Sequence, residues 1–195
     1  MQLFIVSGLI GSGKSTVSKL LKKKGFHYFD SDNIAKKLLR TNNTIKAKLV
    51  KFFDKDILSK NKISIKKVKE KFLTSNKNRE YINKTIHPIF FLYINSKLNK
   101  LKNLKAVLEL PLIETAKNIT APFKIITIDS TYHKRMNRSL KSKKISKKDF
   151  TKLDKIQKNR SFYINKSNYI LVNNDTMSSL KNKFEKLYLT KILKK

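Results

Sequence analysis

Residues 7–16 read Ser-Gly-Leu-Ile-Gly-Ser-Gly-Lys-Ser-Thr. The chain has only 4 glycines, and Gly8, Gly11 and Gly13 are all in this stretch. Gly8 to Ser15 satisfies G-x-x-x-x-G-K-[ST] at every fixed position, and the pattern dictates a local shape. Glycines tolerate positive φ, so successive backbone N–H groups can close around an anion. A helix beginning near Lys14 aims its positive end at the same point. Lys14 is then expected to reach the β- and γ-phosphates of a triphosphate, and Ser15 to offer its hydroxyl to Mg²⁺. Gly8, Gly11, Ser12, Gly13, Lys14, Ser15 and Thr16 form the candidate phosphate cradle. The motif is strong for triphosphate binding and nearly silent on the acceptor.

The surroundings agree with the cradle. Leu3–Val6 is a short apolar run before the first glycine, as a buried strand requires. Val17, Leu20 and Leu21 recur at helical spacing after it, and Gly25 is a C-terminal stop. His27–Phe29 reads as a second strand. Residues from Ser31 to about 105 are mostly helical in pattern, with Ser31 and Ser64 as expected caps. A long helix is expected around 79–98, kinked or broken at Pro88. Further strands are expected at 105–110, 123–129 and 168–172. Helices follow the last two, with Ser130 or Thr131 capping the first and Ser146 starting another over 146–163. An amphipathic helix closes the chain. Strands alternating with helices predict an α/β fold with a parallel five-stranded sheet and a helical insertion.

The second strand runs into Phe-Asp-Ser-Asp-Asn-Ile-Ala over 29–35. Open α/β sheets bind ligands at the carboxyl ends of their strands. Asp30 and Asp32 can therefore hold Mg²⁺ or accept the proton of an attacking hydroxyl. Capping of the following helix is the structural alternative for both.

Composition narrows the classes. With no cysteine, disulfides, a thiolate nucleophile and a cysteine zinc site are excluded. The three histidines, His27, His87 and His133, are too scattered to predict a histidine metal cluster. The N-terminus lacks the form of a signal peptide, and no apolar run reaches the roughly 18 residues of a membrane span. A cytoplasmic protein without a membrane partner is expected. The formal net charge is +33, from 46 Lys+Arg against 13 Asp+Glu. The excess is lysine spread along the chain with abundant Asn and Ile, as an AT-rich genome favours. It predicts non-specific nucleic-acid binding at low salt rather than a specific nucleic-acid partner.

These motifs together resemble the dephospho-CoA kinase family. The resemblance rests on the loop at 7–16, Asp-Ser-Asp-Asn-Ile-Ala-Lys at 30–36, His87-Pro88 in an apolar segment, and Pro111-Leu112-Ile113 after the third strand. It continues with Asp129-Ser130 leading into a helix that carries Arg138, Gln157-Lys-Asn-Arg160, and Asn173-Asn174. It covers nearly the whole chain, and it is the order and spacing that make it specific. The chain departs from the family pattern at four places. Ser142 stands where a second lid arginine often lies, flanked by Lys141 and Lys143. Glu109 replaces an aspartate, Glu114 comes one place early, and Asp175 replaces a glycine.

The resemblance implies a P-loop NTPase-type three-layer fold with ATP and dephospho-CoA as ligands and Mg²⁺ as cofactor. It implies a core at about 1–32 and 104–195, a helical substrate lobe at about 33–103, and a short lid at about 139–146. Asp32 is then the base for the ribose 3′-hydroxyl, with Lys14 and Arg138 offsetting charge on the transferred group. Arg160 and Asn174 join the ATP site; Gln157 leads into it. Asp30, Lys36, His87, Pro111 and Leu112 line the substrate. A monomer or weak oligomer is expected. Two rivals stand beside this reading: another small P-loop kinase with a nucleoside monophosphate-type acceptor, and a basic nucleic-acid-binding protein carrying a P-loop.

Overall fold

The computed structural model describes residues 2–101, 104–142 and 145–193. Lys143 and Lys144 of the expected lid lie outside the described residues, as do the two terminal lysines. The strands are β1 (Gln2–Ser7), β2 (His27–Asp30), β3 (Leu58–Ser59), β4 (Lys62–Ile63), β5 (Lys105–Glu109), β6 (Phe123–Asp129) and β7 (Tyr169–Val172). The helices are α1 (Lys14–Lys23), α2 (Ser31–Thr41), α3 (Asn43–Phe53), α4 (Ile65–Thr74), α5 (Asn76–Asn99), α6 (Tyr132–Lys141), α7 (Lys147–Ile156), α8 (Arg160–Asn165) and α9 (Met177–Leu187). The chain divides into two compact units. One comprises Met1–Phe29, Leu101–Lys117 and Pro122–Lys195, and the other Asp30–Lys100 and Asn118–Ala121.

The first unit is built on a five-stranded sheet in the order β2-β5-β1-β6-β7. β1 pairs in parallel with β5 and β6, placing Val6 opposite both Glu109 and Ile126, and β7 extends β6 in parallel. A central parallel strand covered on both faces should be apolar throughout, and Leu3 to Ser7 are all buried. Alternation sends Phe4, Val6, Ile126 and Ile128 to one face. There they pack with Val17 and Leu21 of α1 and with Leu180 and Phe184 of α9. On the other face α8 packs against β6. The expected stop of α1 is present. Gly25 has φ +87°, its N–H donates to Lys22 O, and the N–H of Phe26 donates to Leu21 O. This is the paired bond of a left-handed helix end.

The second unit is helical, with a small antiparallel hairpin of β3 and β4. Asn42, Ser64 and Ser75 cap α3, α4 and α5 through their side chains. Of the kink or break expected at Pro88, the break does not occur: helix α5 runs continuously through it. Proline removes the bond to the Lys84 carbonyl. Lys84 is exposed, however, and buried Ile82, Ile86, Phe90, Phe91, Ile94 and Leu98 anchor the helix on both sides of the proline.

Three other local expectations are corrected. Asp30, not Ser31, caps α2, accepting from Asn33 N at 3.0 Å; Ser31 is already helical. Neither Ser130 nor Thr131 caps α6 through its side chain. The Asn174 side-chain oxygen instead accepts from Thr131 N at 3.0 Å. The single helix expected over 146–163 is two. Gln157 is extended at ψ 155°, and Asn159 caps α8 through the N–H of Phe162.

Candidate active site

The loop leaves β1 at Ser7 and enters α1 at Lys14. Gly8, Gly11 and Gly13 have φ of +140°, +74° and +106°. All three also need to lack a side chain, a Cβ on Gly8 lying 2.3 Å from the Ile128 carbonyl oxygen. A Cβ on Gly11 would lie 2.3 Å from the Arg135 carbonyl oxygen, and one on Gly13 2.5 Å from Asn173 Nδ2. The first turn of α1 has no acidic residue of its own, and its positive end faces the loop. The Lys14 arm lies back over the loop, its Nζ donating to Gly8 O at 3.0 Å and Leu9 O at 3.1 Å. The fully buried Ser12 gives its carbonyl to Asn173 Nδ2 at 2.7 Å.

Behind the loop, Ser15 Oγ donates to Glu109 Oε1 at 2.9 Å, and Tyr28 OH donates to Glu109 Oε2 at 2.6 Å. Glu109 ends β5, is 8 % exposed, and forms part of a hard-oxygen set with Ser15. A hydroxyl and a carboxylate at a helix N-terminus fit Mg²⁺, which prefers a few protein oxygens and keeps several waters. Composition could not single out Glu109 for this place. Its position at the carboxyl end of a strand was the available signal.

At the carboxyl end of β6, Arg138 and Asn173 meet. Arg138 donates to Ser130 Oγ at 3.0 Å and to Asn173 O at 2.8 Å. Partial burial lowers the Arg138 pKa from its ordinary value. Asn173 therefore touches both the loop and Arg138, a role the sequence reading missed in favour of its neighbour. The Asn174 side-chain oxygen is occupied by Ser130 Oγ and Thr131 N. Arg160 places both arms of its fork on Asp129, at 2.8 and 2.7 Å. The carboxylate is 7 % exposed and the arginine side chain 62 %. The hydrogen bond to Asp129, and then its charge, raise the Arg160 pKa.

Gln157 reaches the loop from the end of α7. Its Oε1 accepts from Ile10 N at 2.7 Å, and its Nε2 faces Tyr163 OH at 3.3 Å. Tyr163 OH donates to Pro111 O at 2.9 Å, which fixes the loop that carries Pro111 and Leu112. Burial first, and the Glu114 carboxylate next, push the Tyr163 phenol well above its ordinary value. One buried carboxylate oxygen of Glu114 has no hydrogen-bond partner.

The second unit carries the remaining expected residues. The Asp30 carboxylate accepts from the backbone N–H and the side-chain amide of Asn33. Asp32 and Lys36 are exposed on α2. His87 is half-buried on α5, its ring edge-on to Phe91 at 6.0 Å, and burial lowers its pKa below 6.5.

A family model described as dephospho-CoA kinase matches residues 3–179. A dephospho-CoA kinase of Fusobacterium nucleatum is 30% identical over 189 residues, covering 95% of this chain and 97% of that protein. Another, of Leptospira interrogans, is 28% identical over 187 residues, covering 95% and 90%. Among solved structures, a dephospho-CoA kinase from Campylobacter jejuni superposes with a TM-score of 0.68 at 23% identity, covering 97% of this chain and 96% of that one.

Proposed function

We propose a residue-level mechanism on one premise: this chain belongs to the dephospho-CoA kinase family, which phosphorylates dephospho-CoA to coenzyme A with ATP. The observation that supports the assignment of roles is the loop itself. Three glycines with positive φ, a helix N-terminus and Lys14 converge there, and Ser15 is paired with a carboxylate.

In this reading residues 8–16 hold the ATP phosphates through backbone N–H groups, and Lys14 moves from the loop carbonyls to the β- and γ-phosphates. Ser15 and Glu109 would hold Mg²⁺, which neutralises phosphate charge when bound. Asn174 lies near the adenine. Arg138, fixed by Ser130 and Asn173, offsets negative charge on the nucleotide. Arg160 is held by Asp129, so its position at the ATP is set by a buried carboxylate. Asp32 accepts the proton of the ribose 3′-hydroxyl as that oxygen bonds to the γ-phosphorus. The bond from the γ-phosphorus to the bridging oxygen breaks, and ADP leaves. Asp30 supports Asp32 by capping α2. Lys36 offers charge to the substrate phosphates, while His87, Pro111 and Leu112 contact its less charged parts.

The test supplies purified protein and ATP·Mg²⁺ with dephospho-CoA, AMP, CMP or shikimate in parallel. ADP release with dephospho-CoA alone is expected. Release only with AMP or CMP would overturn the reading and favour a nucleoside monophosphate acceptor.

A further inference from the structure

The Ile10 backbone in the middle of the phosphate loop is held on both sides of its Cα. Its N–H donates to Gln157 Oε1 at 2.7 Å, and its carbonyl accepts from Arg135 NH1 at 3.1 Å. The two side chains come from opposite flanks of the α6–α7 segment, Arg135 from the first turns of α6 and Gln157 from just beyond α7. Arg135 does more than touch the loop. The same NH1 donates to Asp154 Oδ1 of α7 at 2.6 Å, and its Nε donates to Ser130 O at 3.1 Å. The guanidinium lies beside the rings of Tyr132 and Phe150, 5.7 and 5.9 Å from their centroids. Arg135 is 4 % exposed. A planar fork beside two rings with its bonds aimed in different directions is a task for arginine and not for lysine. The Arg135 backbone also presses on the loop, since its carbonyl oxygen occupies the space a Cβ on Gly11 would need.

We propose that Arg135 is a positioning residue for ATP: with Asp154 it ties the shape of the phosphate loop to the docking of α6 on α7. The Ile10 backbone then keeps the orientation the cradle needs only while the two helices stay joined. The flank that carries the lid and the loop that carries the nucleotide behave as one element. The proposal rests on the reading that residues 8–15 hold ATP. Arg135 does not touch the reacting atoms in it, so its removal should act on nucleotide affinity before it acts on the acceptor.

The experiment compares wild type with R135Q, R135K and D154N. Hydrogen exchange is measured without nucleotide, ATP·Mg²⁺ affinity by calorimetry, and KM for dephospho-CoA by steady-state assay. In R135Q the Ile10 and Ser12 amides should exchange at least about tenfold faster while Phe4–Val6 of β1 keep wild-type protection. The Kd for ATP should rise about tenfold or more, with KM for dephospho-CoA within about twofold. D154N should shift Kd in the same direction, and R135Q/D154N should be no worse than R135Q alone, because the two residues act as a pair. R135K should recover only part of the affinity. Wild-type Kd and wild-type Ile10 exchange in R135Q would overturn the proposal. So would an equal loss of protection in β1, which reduces Arg135 to a fold residue. If R135Q does not fold, R135K and D154N decide: wild-type values in both overturn it. A wild-type protein that binds no ATP breaks the functional reading instead, and the nucleotide-free exchange still reports on the clamp.

Discussion

Ser15 Oγ lies 2.9 Å from Glu109 Oε1, joining the first helical turn after the loop to the end of β5. If the pair holds Mg²⁺, Glu109→Gln keeps the shape and removes the charge. The expected result is a fall in turnover of about 100-fold or more, with a higher Mg²⁺ concentration needed for half-maximal activity. A Mg²⁺ titration at saturating ATP and dephospho-CoA checks it. An unchanged midpoint would remove Glu109 from the metal.

Gly11→Ala places a methyl group 2.3 Å from a backbone oxygen at φ +74°. Backbone cannot rotate away as a side chain can, so the loop or α6 must move. The expected loss is about 1–3 kcal/mol of stability, read from urea unfolding, together with loss of ATP binding. Gly25→Ala is the control. It carries strain from φ +87°, but its Cβ meets nothing within 4 Å. It should leave nucleotide affinity untouched.

Asp30 and Asp32 are expected to separate cleanly. Asp30→Ala removes a helix cap and should cost about 1 kcal/mol of stability. Asp32→Asn should lower turnover by about 10²–10⁴-fold with ATP affinity and unfolding midpoint unchanged. Near-normal turnover in Asp32→Asn would end its role as base.

His87 predicts a pH effect whose sign follows from burial. Its folded pKa is lowered below 6.5, so above that value the imidazole is neutral in both folded and unfolded chains. As pH falls below 6.5, the unfolded chain takes up a proton that the folded one resists, and stability is lost until pH passes the lowered folded value. Urea midpoints at about pH 7.5 and 5.5 should therefore differ more for wild type than for His87→Gln. Equal differences would show that His87 carries none of the acid sensitivity.

The parts of this molecule written locally were legible in the sequence. The loop needs a run of glycines, a lysine and a hydroxyl side by side, and β1, β5, β6 and β7 are short apolar runs between turn residues. The contacts that hold the site together are not local. Asn173 reaches Ser12 across 161 positions, Gln157 reaches Ile10 across 147, and Arg135 reaches Ile10 across 125. No periodicity marks such partners, so of the Asn173-Asn174 pair only Asn174 was given a place in the ATP site. Arg135 lies three positions before Arg138 and belongs to none of the motifs. Ser64 and Ser146 cap α4 and α7 as expected, and the cap of α2 was ambiguous for a different reason. Asp30 and Ser31 are adjacent and both can cap, and only the backbone angle of Asp30 decides between them. Gln157 carries no Gly or Pro signal, so the break between α7 and α8 left no trace in the sequence.

The folded-back arm of Lys14 has a consequence for how a nucleotide arrives. Its ammonium rests on the carbonyls of Gly8 and Leu9, so the fold itself sets the direction of the four-carbon chain along the loop. Ordering a lysine side chain costs about 2 kcal/mol of rotamer entropy, and here that cost falls on folding rather than on association. If residues 8–16 hold ATP, phosphate entry is an exchange of acceptors for the Lys14 ammonium, carbonyl oxygens for phosphate oxygens, over a short swing of a pre-set arm. On that reading the loop's own carbonyl dipoles hold the ammonium, and the phosphate anion takes their place.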